Sequence, residues 1–150
     1  MNAKELRLLQ LDQALAPWRE LAGPPPADGW LHSIRMALGM STRQAAQRAG
    51  VAQSSWVDAE QREIAGTISL GQLRRLGAAL DCRLVHALVP DLPLQEKIEA
   101  RAGKLAQQEV GAVAHSMALE QQRADDEYTR AQIERRKQDL LRGRRSKLWE

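Results

Sequence analysis

Between Met40 and Trp56 the chain reads Met-Ser-Thr-Arg-Gln-Ala-Ala-Gln-Arg-Ala-Gly-Val-Ala-Gln-Ser-Ser-Trp, and this stretch constrains the fold more than any other. Ser41 with Gln44 three residues on is a capping-box pattern, which predicts a helix opening just after the serine. Ala45, Ala46 and Ala49 are small enough for a neighbouring helix to come close. Gly50 stands where that helix must stop and the chain turn, because glycine takes a positive φ without a Cβ penalty. A second helix is expected at once, over about Gln53 to Gln61, with Trp56 and Ala59 facing inward. A capped short helix, a glycine turn and a second short helix form the pattern of a helix-turn-helix, whose second helix enters the DNA major groove.

The flanking sequence divides into blocks. Residues 1–22 form an N-terminal helix, with Leu6, Leu8, Leu9, Leu11, Leu15 and Leu21 mostly at helical spacing and Pro17 ending or kinking it. Residues 23–29, Gly-Pro-Pro-Pro-Ala-Asp-Gly, are a stiff linker. Residues 30–90 hold the helix-turn-helix domain. Its first helix runs from about Trp30 to Leu38, a loop covers Arg62 to Ile68, and Ser69 with Gln72 caps a later helix whose inner face is Leu70, Leu73, Leu76 and Leu80. The alternation from Arg83 to Val89 fits either a short edge strand that pairs between subunits or one more helical turn. Residues 91–150 are a helical extension for partner binding or dimerisation, with a break near Asp125 and Asp126. Its end is basic: from Arg135 to Lys147 there are seven basic residues and one acid.

Composition narrows the classes. Phe is absent and Tyr occurs once, so the core rests on Leu, Ala, Val, Ile and a few Trp, which favours an all-α fold. A net charge of +3 suits an acidic partner without demanding one. Cys82 is the single cysteine and the three histidines lack ligand spacing, so no disulfide framework, metal or cofactor is expected. No signal peptide or membrane-spanning run is read, and a reducing, cytoplasmic location is the default expectation. There is no Gly-rich phosphate loop and no nucleophile–base spacing, so no enzyme activity is expected.

Residues 30–89 resemble the lambda-repressor-like, Xre-type helix-turn-helix family, which has five short helices. Arg35, in Ile34-Arg35-Met36-Ala37-Leu38-Gly39-Met40-Ser41, matches the arginine of the family's first helix, and Glu60 matches the glutamate that ends its third. The resemblance implies a buried ion pair between Arg35 and Glu60, consistent with the rule that a buried charge is tolerable only when paired. It also implies a phosphate contact from Thr42, at a helix N-terminus whose free N–H groups suit phosphate on their own. Gln53, Ser54, Val57 and Asp58 take the outward positions of the recognition helix. Gln53 is the best base reader, because its amide can pair bidentately with adenine. Ser54 specifies weakly, Val57 can touch a thymine methyl, and Asp58 can accept from cytosine while repelling phosphate. Ser55, Arg43, Arg48 and Arg62 are candidate backbone contacts. Two half-sites supply more specificity than one short helix, so a homodimer on double-stranded DNA is expected.

A narrower resemblance covers most of the chain. Gly29-Trp30-Leu31-His32-Ser33-Ile34-Arg35-Met36-Ala37-Leu38-Gly39-Met40-Ser41, Cys82-Arg83-Leu84-Val85-His86-Ala87-Leu88-Val89-Pro90 and His115-Ser116-Met117-Ala118-Leu119-Glu120 are similar to the family called mobile mystery protein A. That family resembles an operon partner whose companion carries a Fic domain, a fold that typically transfers AMP to protein hydroxyls. The implied role is the antitoxin-like, DNA-binding half of a toxin–antitoxin pair. Ser116 and Glu120 match a Fic-inhibitory helix pattern except at Gln121, and residues four apart share a helix face. The alternative is a stand-alone Xre-type repressor whose C-terminal helices only dimerise.

Overall fold

Caps and glycines set where the helices of this chain begin and end. The computed structural model describes residues 2–21, 23–119 and 126–150, and it is all-α, with no strand among those residues. Its helices are α1 (Ala3–Arg19), α2 (Trp30–Ala37), α3 (Thr42–Ala49), α4 (Gln53–Ala65), α5 (Leu70–Ala78), α6 (Leu94–Leu119) and α7 (Asp126–Arg142), followed by a 3-10 turn over Arg145–Trp149. They group into two units, Leu21–Leu88 and a second built from Met1–Glu20 with Val89–Glu150.

In the Leu21–Leu88 unit, a full capping box opens α3: Ser41 Oγ accepts from Gln44 N at 3.2 Å and Gln44 Oε1 accepts from Ser41 N at 2.9 Å. Gly50 closes α3 with φ +68°. After Val51 and Ala52, α4 starts at Gln53 and runs to Ala65, a full turn past the expected stop at Gln61. Arg62 to Ala65 therefore belong to the helix and not to a loop, and the stop comes from Gly66 at φ +73°. Ser69 Oγ accepts from Gln72 N at 3.1 Å to open α5, but the Gln72 side chain turns to Arg62 instead of completing a second box.

The core of this unit is Leu31, Ala45, Ala46, Trp56, Ala59, Leu76 and Leu80, with Ile34, Met40, Ala49, Val51 and Leu73 packed against it. Ala45 and Ala46 are buried in the same core as Trp56, and burying the indole is worth roughly 1.5–3 kcal/mol or more on area alone. Leu70 does not join the inner face of α5; it is 49% exposed, because α5 begins there and its first turn overhangs the core. Residues 83–89 form neither strand nor helix.

In the other unit, α6 and α7 run antiparallel. Arg136 Nε donates to Glu109 Oε2 at 2.5 Å, and Tyr128 and Gln132 line a groove with Val110 and Val113. Among the described residues of this unit, Ala102, Ala106 and Leu148 are fully buried. Helix α1 opens with an Asn2–Glu5 capping box and continues through Pro17, which sits in its last turn, to Arg19. It also supplies the cap of α6. Pro93 has no side-chain oxygen to offer, so Asp12 of α1 takes that place, accepting from Leu94 N at 2.6 Å and Gln95 N at 3.1 Å. A carboxylate at a helix N-terminus satisfies orphan donors and meets the positive end of the macrodipole.

Candidate nucleic-acid interface

Helix α4 has two contrasting sides. Trp56, Ala59 and Glu60 point inward and are buried, whereas Gln53, Ser54, Ser55, Val57, Asp58 and Gln61 are exposed. The spacing of three and four between buried positions follows from the 3.6-residue turn. Gln53, Ser54, Val57, Asp58 and Gln61 border one shallow concavity on the outer side. Gln61 lies four residues beyond Val57 and extends the polar surface by one turn. The sequence pattern leaves it unassigned, because the expected helix stops there.

The start of α4 is tied to the start of α3. Gln53 Nε2 donates to Thr42 Oγ1 at 2.8 Å, so the side-chain amide of Gln53 is held at the junction of the two helix N-termini. Thr42 is half-buried; Arg43 beside it is exposed and makes no ion pair among the described residues. Ser54 and Ser55 are open to solvent, and Val57 is 38% exposed.

The remaining candidates are partly engaged. Arg62 Nη1 donates to Gln72 Oε1 and Nη2 to the Thr67 carbonyl, both at 3.2 Å, which fastens the turn after α4. Its guanidinium also stands 3.8 Å from Asp58, one helical turn back. Arg48 donates to the Ala79 carbonyl at 2.8 Å and to Asp81 at 3.1 Å, joining α3 to the end of α5. Of the basic residues named for phosphate contact, Arg43 is the one whose guanidinium has no protein partner among the described residues.

Behind this surface lies a buried polar cluster. Arg35 Nε and Nη2 donate to Glu60 Oε1 and Oε2 at 2.5 and 3.1 Å, a two-pronged pair in which the side chains are 7% and 10% exposed. Arg35 Nη1 also donates to the Met40 carbonyl at 2.9 Å, and Trp56 Nε1 donates to Glu60 Oε1 at 2.6 Å. His32 Nδ1 lies 3.2 Å from both Glu60 Oε2 and Arg35 Nη2, donating to the first or accepting from the second according to its tautomer. Burial raises the Glu60 pKa, but the hydrogen bonds from Arg35, Trp56 and His32, with the charge of Arg35, outweigh it and hold the carboxyl below its ordinary 4.5. The cluster fixes the roll of α4 about its axis, because both Trp56 and Glu60 are committed to the inside.

A second anchor has no signature in the sequence. Helix α2 begins at Gly29, which offers no side-chain cap. Glu63 of α4 reaches it across the fold, its two oxygens accepting from Trp30 N at 2.7 Å and Leu31 N at 2.9 Å.

Of the pair named for partner inhibition, Ser116 is exposed on α6 and donates to the Ala112 carbonyl at 3.2 Å, while Glu120 lies outside the described residues. No group of three or more His, Cys, Asp or Glu side chains among the described residues is placed to hold a metal ion. No described helix is long and apolar enough to cross a membrane. Comparison of the chain with family models, curated proteins and solved structures gives no match.

Proposed function

We propose that residues 21–88 are a sequence-specific DNA-binding module of the lambda-repressor-like, Xre-type helix-turn-helix kind, and that the chain is a transcriptional regulator. The observation that carries this reading is the outer side of α4. It is a row of exposed amide, hydroxyl and carboxylate groups on a helix locked from behind by Trp56 and Glu60. Amides and hydroxyls at successive outward positions are what base edges in the major groove require. The surface is weakly charged for a DNA reader, so discrimination comes from hydrogen bonding at α4 and backbone affinity from residues beside it, Arg43 first.

The reading includes a homodimer on paired half-sites, and it includes an antitoxin-like pairing with a Fic-domain AMP transferase. The second part rests on the resemblance of residues 29–41, 82–90 and 115–120, and co-purification with a co-expressed Fic-domain protein tests it.

The DNA reading is tested by selecting binding sites from a random duplex library with the purified chain, then repeating with Gln53→Ala. A defined motif is expected for the wild type, and loss of Gln53 is expected to relax one base position at a cost of about 1–3 kcal/mol. Failure of the wild type to enrich any motif would overturn the proposal.

A further inference from the structure

The basic run at the end of the chain is not a frayed tail. Gly143 follows α7, and the chain then makes a 3-10 turn over Arg145–Trp149. Leu148 in that turn is fully buried. Its carbonyl accepts from Arg101 Nε of α6 at 2.6 Å, and the same guanidinium lies 6.0 Å from the centre of the Trp149 ring. One buried leucine, one side chain-to-backbone hydrogen bond and one cation–π contact therefore hold the end in place.

This docking determines how the cations are presented. Arg142, Arg144 and Lys147 are exposed, Arg145 is half-buried, and none of the four is paired with a carboxylate among the described residues. Lys147 N donates to the Arg144 carbonyl at 3.0 Å, so the backbone between these two cations is closed into a turn. By contrast, Arg136 on α7 is already committed to Glu109. Asp139 and Glu150 are the acids nearest in sequence on either side of Arg142–Lys147.

We propose that Arg142, Arg144 and Lys147, with Arg145, form a fixed cationic platform that contacts the phosphate backbone of double-stranded DNA. The inference rests on the DNA-binding reading of residues 21–88 and adds to it a second, sequence-independent anchor. Unpaired guanidinium and ammonium groups release counterions when they meet phosphates, which gives affinity that falls with salt and carries no base information. A platform whose backbone is already ordered forfeits less conformational entropy on binding than a loose tail.

The test uses the full chain, the selected operator and a random-sequence duplex, with log K measured against log salt. The triple variant Arg142→Gln, Arg144→Gln, Lys147→Gln is expected to give a slope shallower by about 0.9 for each phosphate it no longer neutralises, with roughly two to three phosphates involved. Its affinity for both duplexes should fall by the same factor, about tenfold or more at physiological salt, leaving their ratio unchanged. The charge-preserving variant Arg142→Lys, Arg144→Lys, with Lys147 kept, should retain the wild-type slope, which separates charge from folding. Circular-dichroism melting checks that the Gln variant keeps its docked end.

An unchanged slope with operator preference intact overturns the platform alone. No duplex binding by the wild type overturns the platform and the DNA reading together. Binding of phosphatidylserine vesicles that the Gln variant loses, while its duplex binding is unaltered, assigns the surface to a membrane and also overturns the platform.

Discussion

The carboxylate of Glu63 stands 3.1 Å from the point a Cβ on Gly29 would occupy. Gly29 also has φ +80°, a conformation that residues with side chains seldom take. The backbone of α2 can thus meet Glu63 directly, and the helix whose Arg35 pairs with Glu60 is set by two glutamates from one face of α4.

Gly29→Ala is therefore expected to destabilise the 21–88 unit by about 1–3 kcal/mol, combining a strained φ with a crowded carboxylate. Glu63→Ala, which leaves Gly29 unstrained but uncaps α2, should cost about 0.5–2 kcal/mol. Urea unfolding followed by tryptophan fluorescence measures both, and equal stability of Gly29→Ala and wild type would contradict the assignment.

The depressed pKa of Glu60 carries a pH signature. A carboxyl whose folded pKa lies below its unfolded value contributes stability that is complete above the unfolded value of 4.5 and is lost as pH falls through the folded value. The 21–88 unit should lose stability on acidification below 4.5, and Glu60→Gln should remove that part of the slope. At neutral pH the same variant should be weaker by about 3–5 kcal/mol, since it leaves Arg35 buried without its counter-charge. Parallel pH–stability profiles of the two proteins would refute the role given to Glu60.

Thr42 is expected to act on DNA recognition through Gln53. Its hydroxyl accepts from the Gln53 amide at 2.8 Å, so Thr42→Val frees that amide to adopt other rotamers. Operator preference at the base read by Gln53 should weaken, while the salt slope falls by no more than the share of about one phosphate. Thr42→Ser, which keeps the hydroxyl, should restore the preference. If Thr42→Val discriminates as well as wild type, Gln53 is oriented by something else.

Asp12 links α1 to α6. Asp12→Ala should cost the second unit about 0.5–2 kcal/mol by leaving Leu94 N and Gln95 N without their acceptor. Hydrogen exchange should then quicken at the start of α6 while the amides of α3 and α4 keep their protection. Identical exchange in both proteins would rule out the cap.

What can be read from the sequence follows how local each signal is. The Ser41–Gln44 box, the Gly50 turn and the inward Trp56 depend on residues within one or two helical turns, and the structure places them as their local chemistry requires. The end of α4 lies beyond the expected one because Arg62 and Glu63 read locally as loop polarity. Their partners, Gln72 and the α2 amides, lie ten or more residues away. The cap that Asp12 gives α6 spans 82 residues and has no local pattern at all. No sequence spacing points to Arg101 as the donor that fastens Leu148 at the end of the chain. On the outer side of α4, Gln53, Ser54, Val57 and Asp58 are the recognition-helix positions that the resemblance implies, and Gln61, the last residue of the expected helix, is not among them.

The cap supplied by α1 to α6 also orders events on the ribosome. Residues 3–19 are made early, yet the amides that Asp12 satisfies follow some eighty residues later. The segment from Leu21 to Leu88 holds all of its own core and can close while the rest is still being translated. The opening helix must wait for α6 before Asp12 has amides to cap, and even then Leu6, Leu9 and Leu11 stay exposed.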